Sequence, residues 1–256
     1  MKKCGLLGEN IQYSSSPSIH NDYYLKKAVK LTYEIFDISH SDLPHFIKGL
    51  SEEQIIGFNV TIPYKESIIK YLDKLTYPAD RINAVNTVLV KDKTLVGFNT
   101  DYFGFIKSLE EYNLNLEGKH ALVIGNGGAA KCIAVALQDL KCESIDIAAR
   151  DIARSNDYFN KFCNIRDLKD VNDLTKYNII VNCTPLGGVN YKNISPVAIN
   201  QLAMGCIVYD LVYNPKLTRF LKEAREYGAL IINGESMLKY QAYKAADIWL
   251  SYNNMI

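Results

Sequence analysis

Residues 121–130, Ala-Leu-Val-Ile-Gly-Asn-Gly-Gly-Ala-Ala, constrain this chain more than any other stretch. The first four residues are an apolar run of the kind that forms a strand buried on both faces of a parallel sheet. Glycines then break the strand, and Lys131-Cys-Ile-Ala-Val-Ala-Leu137 continues with helical character. The spacing Gly125-x-Gly127-x-x-Ala130 is the strand–turn–helix pattern that binds a dinucleotide. Gly125 lets the chain turn sharply off the strand, Gly127 lets a pyrophosphate approach the backbone, and Ala130 keeps the helix close to the sheet. The helix N-terminus presents unpaired N–H groups and a positive dipole end to the phosphates. A P-loop is the near miss, because Lys131 follows the turn. It fails because Ala130 replaces the last glycine and Cys132 replaces the Ser or Thr that binds Mg²⁺.

The rest of the composition narrows the class. The 256 residues suffice for one large or two small domains, and the net charge of +1 leaves no electrostatic case for nucleic acid or an anionic membrane. Glu9, Asn10 and Gln12 interrupt any secretory apolar region at the N-terminus, and no apolar run approaches the ~20 residues of a membrane span. The six cysteines (Cys4, Cys132, Cys142, Cys163, Cys183 and Cys206) are scattered without a Cys-x-x-Cys pair, which points to reduced thiols and a cytoplasmic protein. The four histidines lack the spacing of a metal site, so no metal is expected.

Before the glycine turn, the pattern predicts strand Lys3–Leu7, a hydroxyl-rich loop 9–16, and a helix opened by Ser16-Pro17 and running through Ala28. Ser16 fits the N-cap of that helix; Ser14 has no such structural reason. Strands follow at Tyr33–Ile38 and Ile55–Thr61, with short helices at 42–50 and 66–72. This alternation predicts a parallel α/β sheet, which binds ligands beyond its carboxyl strand ends. Asn59, Thr61 and Lys65 fall at that edge. Lys65 would sit in a helix's first turn, where the dipole disfavours a cation, so it is either a solvated surface lysine or a functional one. Segments 86–90 and 94–98 flank Lys91-Asp92-Lys93 as a hairpin, with Asn86-Thr87 and Asn99-Thr100 at its outer end. Asp101 fits a cap for the helix Tyr102–Tyr112, or a functional carboxylate.

After the glycine turn, strand Ser144–Ala148 ends in Ala149-Arg150. An NAD-specific fold places Asp or Glu there; Arg150 suits a 2′-phosphate through paired hydrogen bonds, Arg154 could add to it, and Asp151 opposes it. Strands at 178–182 and 206–212 lead into Cys183-Thr184-Pro185-Leu186-Gly187-Gly188 and Tyr213-Asn214-Pro215. Helix 218–227, strand 229–232, the turn Asn233-Gly234-Glu235-Ser236 and a C-terminal helix from Met237 complete the chain. Met237 and Gln241 form an i, i+4 pair, as core or as a pocket wall.

Hydride chemistry at a carbonyl needs a proton donor to the oxygen. Lys65 and Asp101, each at a carboxyl strand end, are the candidates, since an ammonium beside a carboxylate can donate a proton and stabilise a developing alkoxide. Ser14, Ser16, Thr61, Tyr213, Asn86 and Gln241 suit a small polyhydroxylated ligand. At this point nearly the whole chain resembles the shikimate dehydrogenase family. The resemblance rests on Ser14-x-Ser16-Pro17 with His20-Asn21, Asn59-Val-Thr-Ile-Pro-Tyr-Lys65, Ala84-Val-Asn-Thr87 and Gly97-Phe-Asn-Thr-Asp101. It continues in Gly125-Asn-Gly-Gly-Ala129, Asn182-Cys-Thr-Pro185, Asp210-Leu-Val-Tyr-Asn-Pro215 and Gly234-x-x-Met237-Leu238-x-x-Gln241.

The resemblance implies an α/β fold with an N-terminal substrate domain over residues 1–101, a Rossmann-type NADP-binding domain over 102–235, a cleft between them, and a C-terminal helix 236–256 packing back on the first domain. It implies NADPH-dependent reduction of 3-dehydroshikimate to shikimate, with Lys65 and Asp101 as the catalytic pair. It implies substrate binding by Ser14, Ser16, Thr61, Asn86, Tyr213 and Gln241. Cofactor contacts would come from Gly125, Asn126, Gly127, Gly128, Ala129, Arg150, Arg154, Thr184, Leu211 and Gly234. The expected partner is a small-molecule substrate, with no nucleic acid and no membrane, in a monomer or homodimer. Where the family often has Asn-Arg-Thr, this chain has Ala149-Arg150-Asp151; the added carboxylate keeps NAD use open. Gly8-Glu-Asn-Ile lacks a proline often found there, and Asn83 stands where glycine is common. The alternatives are a quinate/shikimate dehydrogenase using NAD, and a cofactor-sensing binding protein without turnover.

Overall fold

A computed structural model describes residues 2–12, 14–50, 53–153, 156–253 and 255. The chain divides into two compact units, Met1–Gly104 with Lys239–Ile256, and Phe105–Leu238.

The first unit contains β1 (Lys3–Gly8), α1 (Ser16–Lys26), β2 (Thr32–Asp37), α2 (Leu43–Gly49), β3 (Ile55–Val60), β4 (Lys74–Leu75), α3 (Ala79–Ile82), β5 (Thr87–Lys91), β6 (Thr94–Phe98) and the first turn of α4 (Thr100–Glu110). Its sheet has the order β2-β1-β3-β5-β6-β4. The expected parallel strands and the expected hairpin join in one mixed sheet. β1 runs parallel to β2 and β3, but β5 is antiparallel to both β3 and β6. Two local features explain this. Asp92 and Lys93 hold φ of +50° and +63°, the left-handed pair that closes a tight hairpin. The connection from β3 to β5 carries a five-residue 3-10 turn (Ser67–Tyr71), the two-residue β4 and the four-residue α3, not the long helix of a parallel crossover.

Successive residues of these strands serve two cores. Leu6, Ile56 and Leu89 pack on one side with Tyr24, Tyr33 and Trp249. Leu7, Phe58 and Val88 pack on the other with Phe36, Tyr64 and Ile68. Leu6/Leu7 and Val88/Leu89 alternate with a strand's two-residue period, and a register shift between β1 and β3 at Ile56 puts Ile56 and Phe58 on opposite sides. Trp249 belongs to the C-terminal helix (Glu235–Tyr252). It is fully buried, donates its indole N–H to Val88 O at 2.9 Å, and lies against the bare Cα of Gly57.

Ser15, not Ser16, is the N-cap of α1, and no side-chain cap bond is made. Ser16 is the first helical residue, and its N–H donates to Ser14 Oγ at 3.2 Å. The helix stops at Lys26 rather than Ala28, because Ala28 turns to φ +54° and donates to Leu25 O. On α1, His20 is 1 % exposed and stacks on Tyr33 with ring centroids 4.0 Å apart. Neither ring nitrogen has a hydrogen-bond partner.

The second unit contains β7 (His120–Ile124), α5 (Gly128–Asp139), β8 (Ser144–Ala149), α6 (Asn156–Phe159), β9 (Asn164–Asp167), β10 (Ile179–Asn182), β11 (Ile207–Asp210), α7 (Arg219–Glu226) and β12 (Leu230–Asn233). All neighbouring strands are parallel, in the order β12-β11-β10-β7-β8-β9. That is the doubly wound arrangement, with its switch point between β7 and β10. The sequence pattern did not predict β9. Its position is secured by Asp146 of β8, a buried carboxylate that accepts from Asn164 Nδ2, Arg166 Nε and Tyr177 OH. Burial pushes this carboxyl up, but the three donors prevail and hold it below its ordinary range. No helix among the described residues is long and apolar enough to cross a membrane.

Two stability tests follow from the first unit. A methyl at residue 57 would overlap the Trp249 ring, which is fully enclosed and fixed by its N–H bond. Gly57→Ala is expected to lose about 1–3 kcal/mol in urea unfolding, the range for overpacked cores; a midpoint equal to wild type would contradict the packing. Burial also pushes the His20 imidazole down to about 3, against the opposing effect of Asn59. The unfolded chain therefore takes up a proton near pH 6.5 that the folded chain refuses, so stability is full above that pH and falls as pH drops. Between pH 6.5 and 5 this group alone removes about 2 kcal/mol. His20→Phe should flatten the acid limb of unfolding free energy against pH, and unchanged steepness would count against the assignment.

Candidate functional site

In the first unit the carboxyl end of β3, the amino end of β5 and the start of α4 share one sheet edge. The antiparallel register places Asn59 opposite Thr87, and Thr87 opposite Phe98. Lys65 and Asp101 meet there, with Nζ donating to Oδ2 at 2.6 Å. Their side chains are 25 % and 16 % exposed, so the pair is partly sheltered yet reachable. Lys65 does not lie in a helix's first turn. It occupies a turn before the 3-10 segment, and its carbonyl is engaged by Val85 N–H at 2.8 Å. Nor is Asp101 the cap of the following helix. It lies within the first turn of α4, and Asn99 Oδ1 accepts from Tyr102 N–H at 3.4 Å in the capping role. Relieved of capping, the Asp101 carboxylate turns to the ammonium. A carboxylate at a helix N-terminus is also favoured by the dipole.

Behind the pair lies a buried polar cluster. Asn86 is 3 % exposed; its Oδ1 accepts from Thr100 N–H at 2.6 Å, and its Nδ2 donates to Thr100 Oγ1 at 3.0 Å. Thr100 Oγ1 also lies 3.5 Å from Gln241 Oε1, so the C-terminal helix reaches this cluster. Thr61 is half-buried directly after β3, with its N–H on Leu7 O at 2.9 Å. Ser14 and Ser16, also half-buried, share a hydroxyl–hydroxyl bond of 3.1 Å. Tyr213 is exposed and belongs to the second unit, beyond β11. Asn59, placed at this edge by the sequence, joins the cluster, and so do Thr87 and Thr100; none of the three, nor Asn99, is assigned a binding or catalytic role by the sequence. The paired Asn-Thr doublets at the outer end of the hairpin were the signal that marked this edge.

In the second unit the glycine turn leaves β7 at the switch point. Gly125 has φ +114° and donates to Ala148 O at 2.8 Å; an L side chain would be strained there. Gly127 is the N-cap of α5, and a Cβ added to it would meet nothing within 4 Å. The first intrahelical bond runs from Lys131 N–H to Gly127 O. The N–H groups of Gly128, Ala129 and Ala130 therefore precede the ladder and are available to an anion. Ala130 is fully buried, as close helix–sheet packing requires. Asn126 Nδ2 donates to Asp151 O at 2.8 Å, tying the turn to the segment after β8. Arg150 is exposed at the end of β8. Arg154 lies outside the described residues.

Thr184 follows β10, across the switch point from Gly125; a Cβ on Gly125 would come within 3.3 Å of its Cγ2. Thr184 Oγ1 donates to Asn182 Oδ1 at 2.6 Å, and Asn182 Nδ2 donates to Asp210 Oδ1 at 2.9 Å. Asp210 also accepts from Val212 N–H at 3.0 Å and from Thr218 Oγ1 at 2.6 Å. Burial raises its carboxyl to about 6 despite these donors. Gly234 is buried against the carbonyl of Leu211, where any side chain would collide. The expected cofactor residues within the described structure thus gather at the carboxyl ends of β7, β8, β10, β11 and β12. A glycine cradle with free N–H groups fits a pyrophosphate. No grouping of His, Cys, Asp and Glu among the described residues could hold a metal ion.

Two family profiles match the chain: the shikimate dehydrogenase substrate binding domain over residues 6–88, and shikimate / quinate 5-dehydrogenase over residues 108–189. A Clostridium botulinum shikimate dehydrogenase (NADP(+)) is 49 % identical over 97 % of this chain and 96 % of its own. A Thermus thermophilus shikimate 5-dehydrogenase, solved in complex with NADP(H) and shikimate, is similar with a TM-score of 0.89 at 32 % identity, covering 98 % of this chain and 94 % of that one. A Listeria monocytogenes shikimate 5-dehydrogenase, solved with shikimate and NAD, gives a TM-score of 0.91 at 30 % identity, covering 98 % and 92 %.

Proposed function

The chain belongs to the shikimate dehydrogenase family, and on that premise we propose that it reversibly reduces 3-dehydroshikimate to shikimate with NADPH. The observation that carries the chemistry is the 2.6 Å contact between Lys65 Nζ and Asp101 Oδ2. The nicotinamide supplies a hydride to the carbonyl carbon when bound. The carbonyl oxygen then gains negative charge and needs a proton. The Lys65 ammonium donates it, and in the reverse direction the amine takes it from the substrate hydroxyl. Asp101 orients the ammonium and balances its charge as the proton moves. The ammonium also steadies the alkoxide as it forms.

Ser14, Ser16, Thr61, Asn86, Tyr213 and Gln241 are proposed to hold the substrate's hydroxyls and carboxylate. Such groups discriminate strongly, because a buried donor or acceptor left unpaired is costly. Gly125, Asn126, Gly127, Gly128 and Ala129 are proposed to cradle the pyrophosphate at the start of α5, with Thr184, Leu211 and Gly234 lining the dinucleotide. Arg150 is proposed to hold the 2′-phosphate. Its guanidinium can make paired bonds to phosphate oxygens. Asp151 beside it narrows the preference for NADPH over NADH without supplying a phosphate ligand. The six cysteines are free thiols, which supports a reducing compartment such as the cytoplasm.

Nicotinamide absorbance tests the reading. Purified protein with NADPH should oxidise it on addition of 3-dehydroshikimate, more slowly with NADH, and should reduce NADP⁺ with shikimate in preference to quinate. No oxidation with either nucleotide would remove the proposal, and faster turnover of quinate with NAD⁺ would move it to the quinate-using branch.

A further inference from the structure

The polar cluster behind Lys65 and Asp101 contains a hydroxyl that the proposed chemistry leaves without a role. Thr87 is 0 % exposed. Its Oγ1 accepts from Asn59 Nδ2 at 2.9 Å, donates to Asn86 Oδ1 at 3.0 Å, and lies 3.0 Å from Thr100 Oγ1. A hydroxyl has one hydrogen and two lone pairs. With its hydrogen on Asn86, Thr87 accepts from Asn59 and Thr100, and its capacity is filled. Asn59 is itself braced, since its Oδ1 accepts from Tyr33 OH at 2.7 Å and its Nδ2 also donates to Asn86 O at 3.1 Å.

The orientation of the Asn86 amide follows from these partners. The Thr100 backbone N–H can only donate, so the atom 2.6 Å from it is the carbonyl oxygen. The Thr87 hydroxyl brings a second donor to the same oxygen. Asn86 Nδ2 then spends one hydrogen on Thr100 Oγ1, and the other is the one the proposed substrate role requires. Valine has nearly the same shape and would bury without needing any partner. A hydroxyl enclosed in a strand is favourable only where its neighbours need it.

We infer that Thr87 is a positioning residue: its hydroxyl fixes the amide plane of Asn86 toward the substrate and, through Thr100, steadies the helix turn that carries Asp101. This rests on the proposed role of Asn86 in substrate binding. The test is steady-state kinetics of wild type, Thr87→Val and Thr87→Ser, varying shikimate and NADP⁺ separately. Thr87→Val should raise KM for shikimate about tenfold, the effect of one lost buried hydrogen bond, and leave KM for NADP⁺ within about twofold. Thr87→Ser should return the shikimate KM to within about threefold of wild type, because it restores the hydroxyl. Thr87→Ala, which inserts no methyl against the stranded donors, should show the same split and serves if the valine variant does not fold. A shikimate KM near wild type in the valine or alanine variant overturns the inference. So does a parallel rise in both KM values without rescue by serine. Wild-type enzyme inactive with shikimate would remove the premise and this inference with it, whereas active wild type with an unaffected variant overturns this inference alone.

Discussion

The ammonium of Lys65 and the carboxylate of Asp101, 2.6 Å apart, set the demands that the first unit meets. The two residues come from segments 36 positions apart, so a flexible lysine stem and a helix turn must both be held. The lysine is held through its backbone, where Val85 N–H binds its carbonyl. The aspartate is held through the helix start, where Asn99 caps Tyr102 and Asn86 accepts from Thr100 N–H. Each of these bonds is buried or half-buried. A buried polar group without a partner is costly, so the edge tolerates little rearrangement. Rigidity here is a consequence of satisfying hydrogen bonds in a place only partly open to water.

The second unit solves a different problem by simpler means. A pyrophosphate needs N–H groups and close backbone approach, and glycines at a strand–helix junction provide both. The wall opposite the turn depends on side chains. Asp210 anchors Asn182, which anchors Thr184, while Thr218 ties the same carboxylate to the start of α7. One buried carboxylate thus connects three elements at the carboxyl edge of the sheet. The turn suits the pyrophosphate of any dinucleotide, and discrimination is proposed to fall to the segment after β8, where Arg150 and Asp151 carry opposite charges.

Sequence made the second unit and its turn legible because their signals are local: a short apolar run, a glycine spacing and a helix within twenty residues. The parallel order of its sheet follows from the same repeat. The first unit was harder to read. Its parallel strands and its hairpin at Lys91-Asp92-Lys93 were legible, but the antiparallel pairing of β5 with β3, which follows from a connection without a long crossover helix, was not. Lys65 looked like a helix residue and Asp101 and Ser16 like caps, because single-residue propensities cannot see competing bonds from Val85, Asn99 and Ser15's neighbourhood. The residues proposed to carry the chemistry stood out by type and by place at strand ends. The cluster behind them did not, since the contact of Asn59 with Thr87 spans 28 residues and that of Thr100 with Gln241 spans 141. Long-range polar pairing leaves almost no trace in one sequence.

If Lys65 and Asp101 work as one proton-handling unit, their losses cannot be independent. The direct measurement is kcat/KM for shikimate oxidation in wild type, Lys65→Met, Asp101→Asn and the double variant at one pH. Each single change should lower the rate by about 10²–10⁴, the usual contribution of general acid–base catalysis. The double variant should be no slower than the slower single variant, because the second change removes a partner already idle. Losses that multiply in the double variant, or a Lys65→Met enzyme close to wild type, would contradict the account.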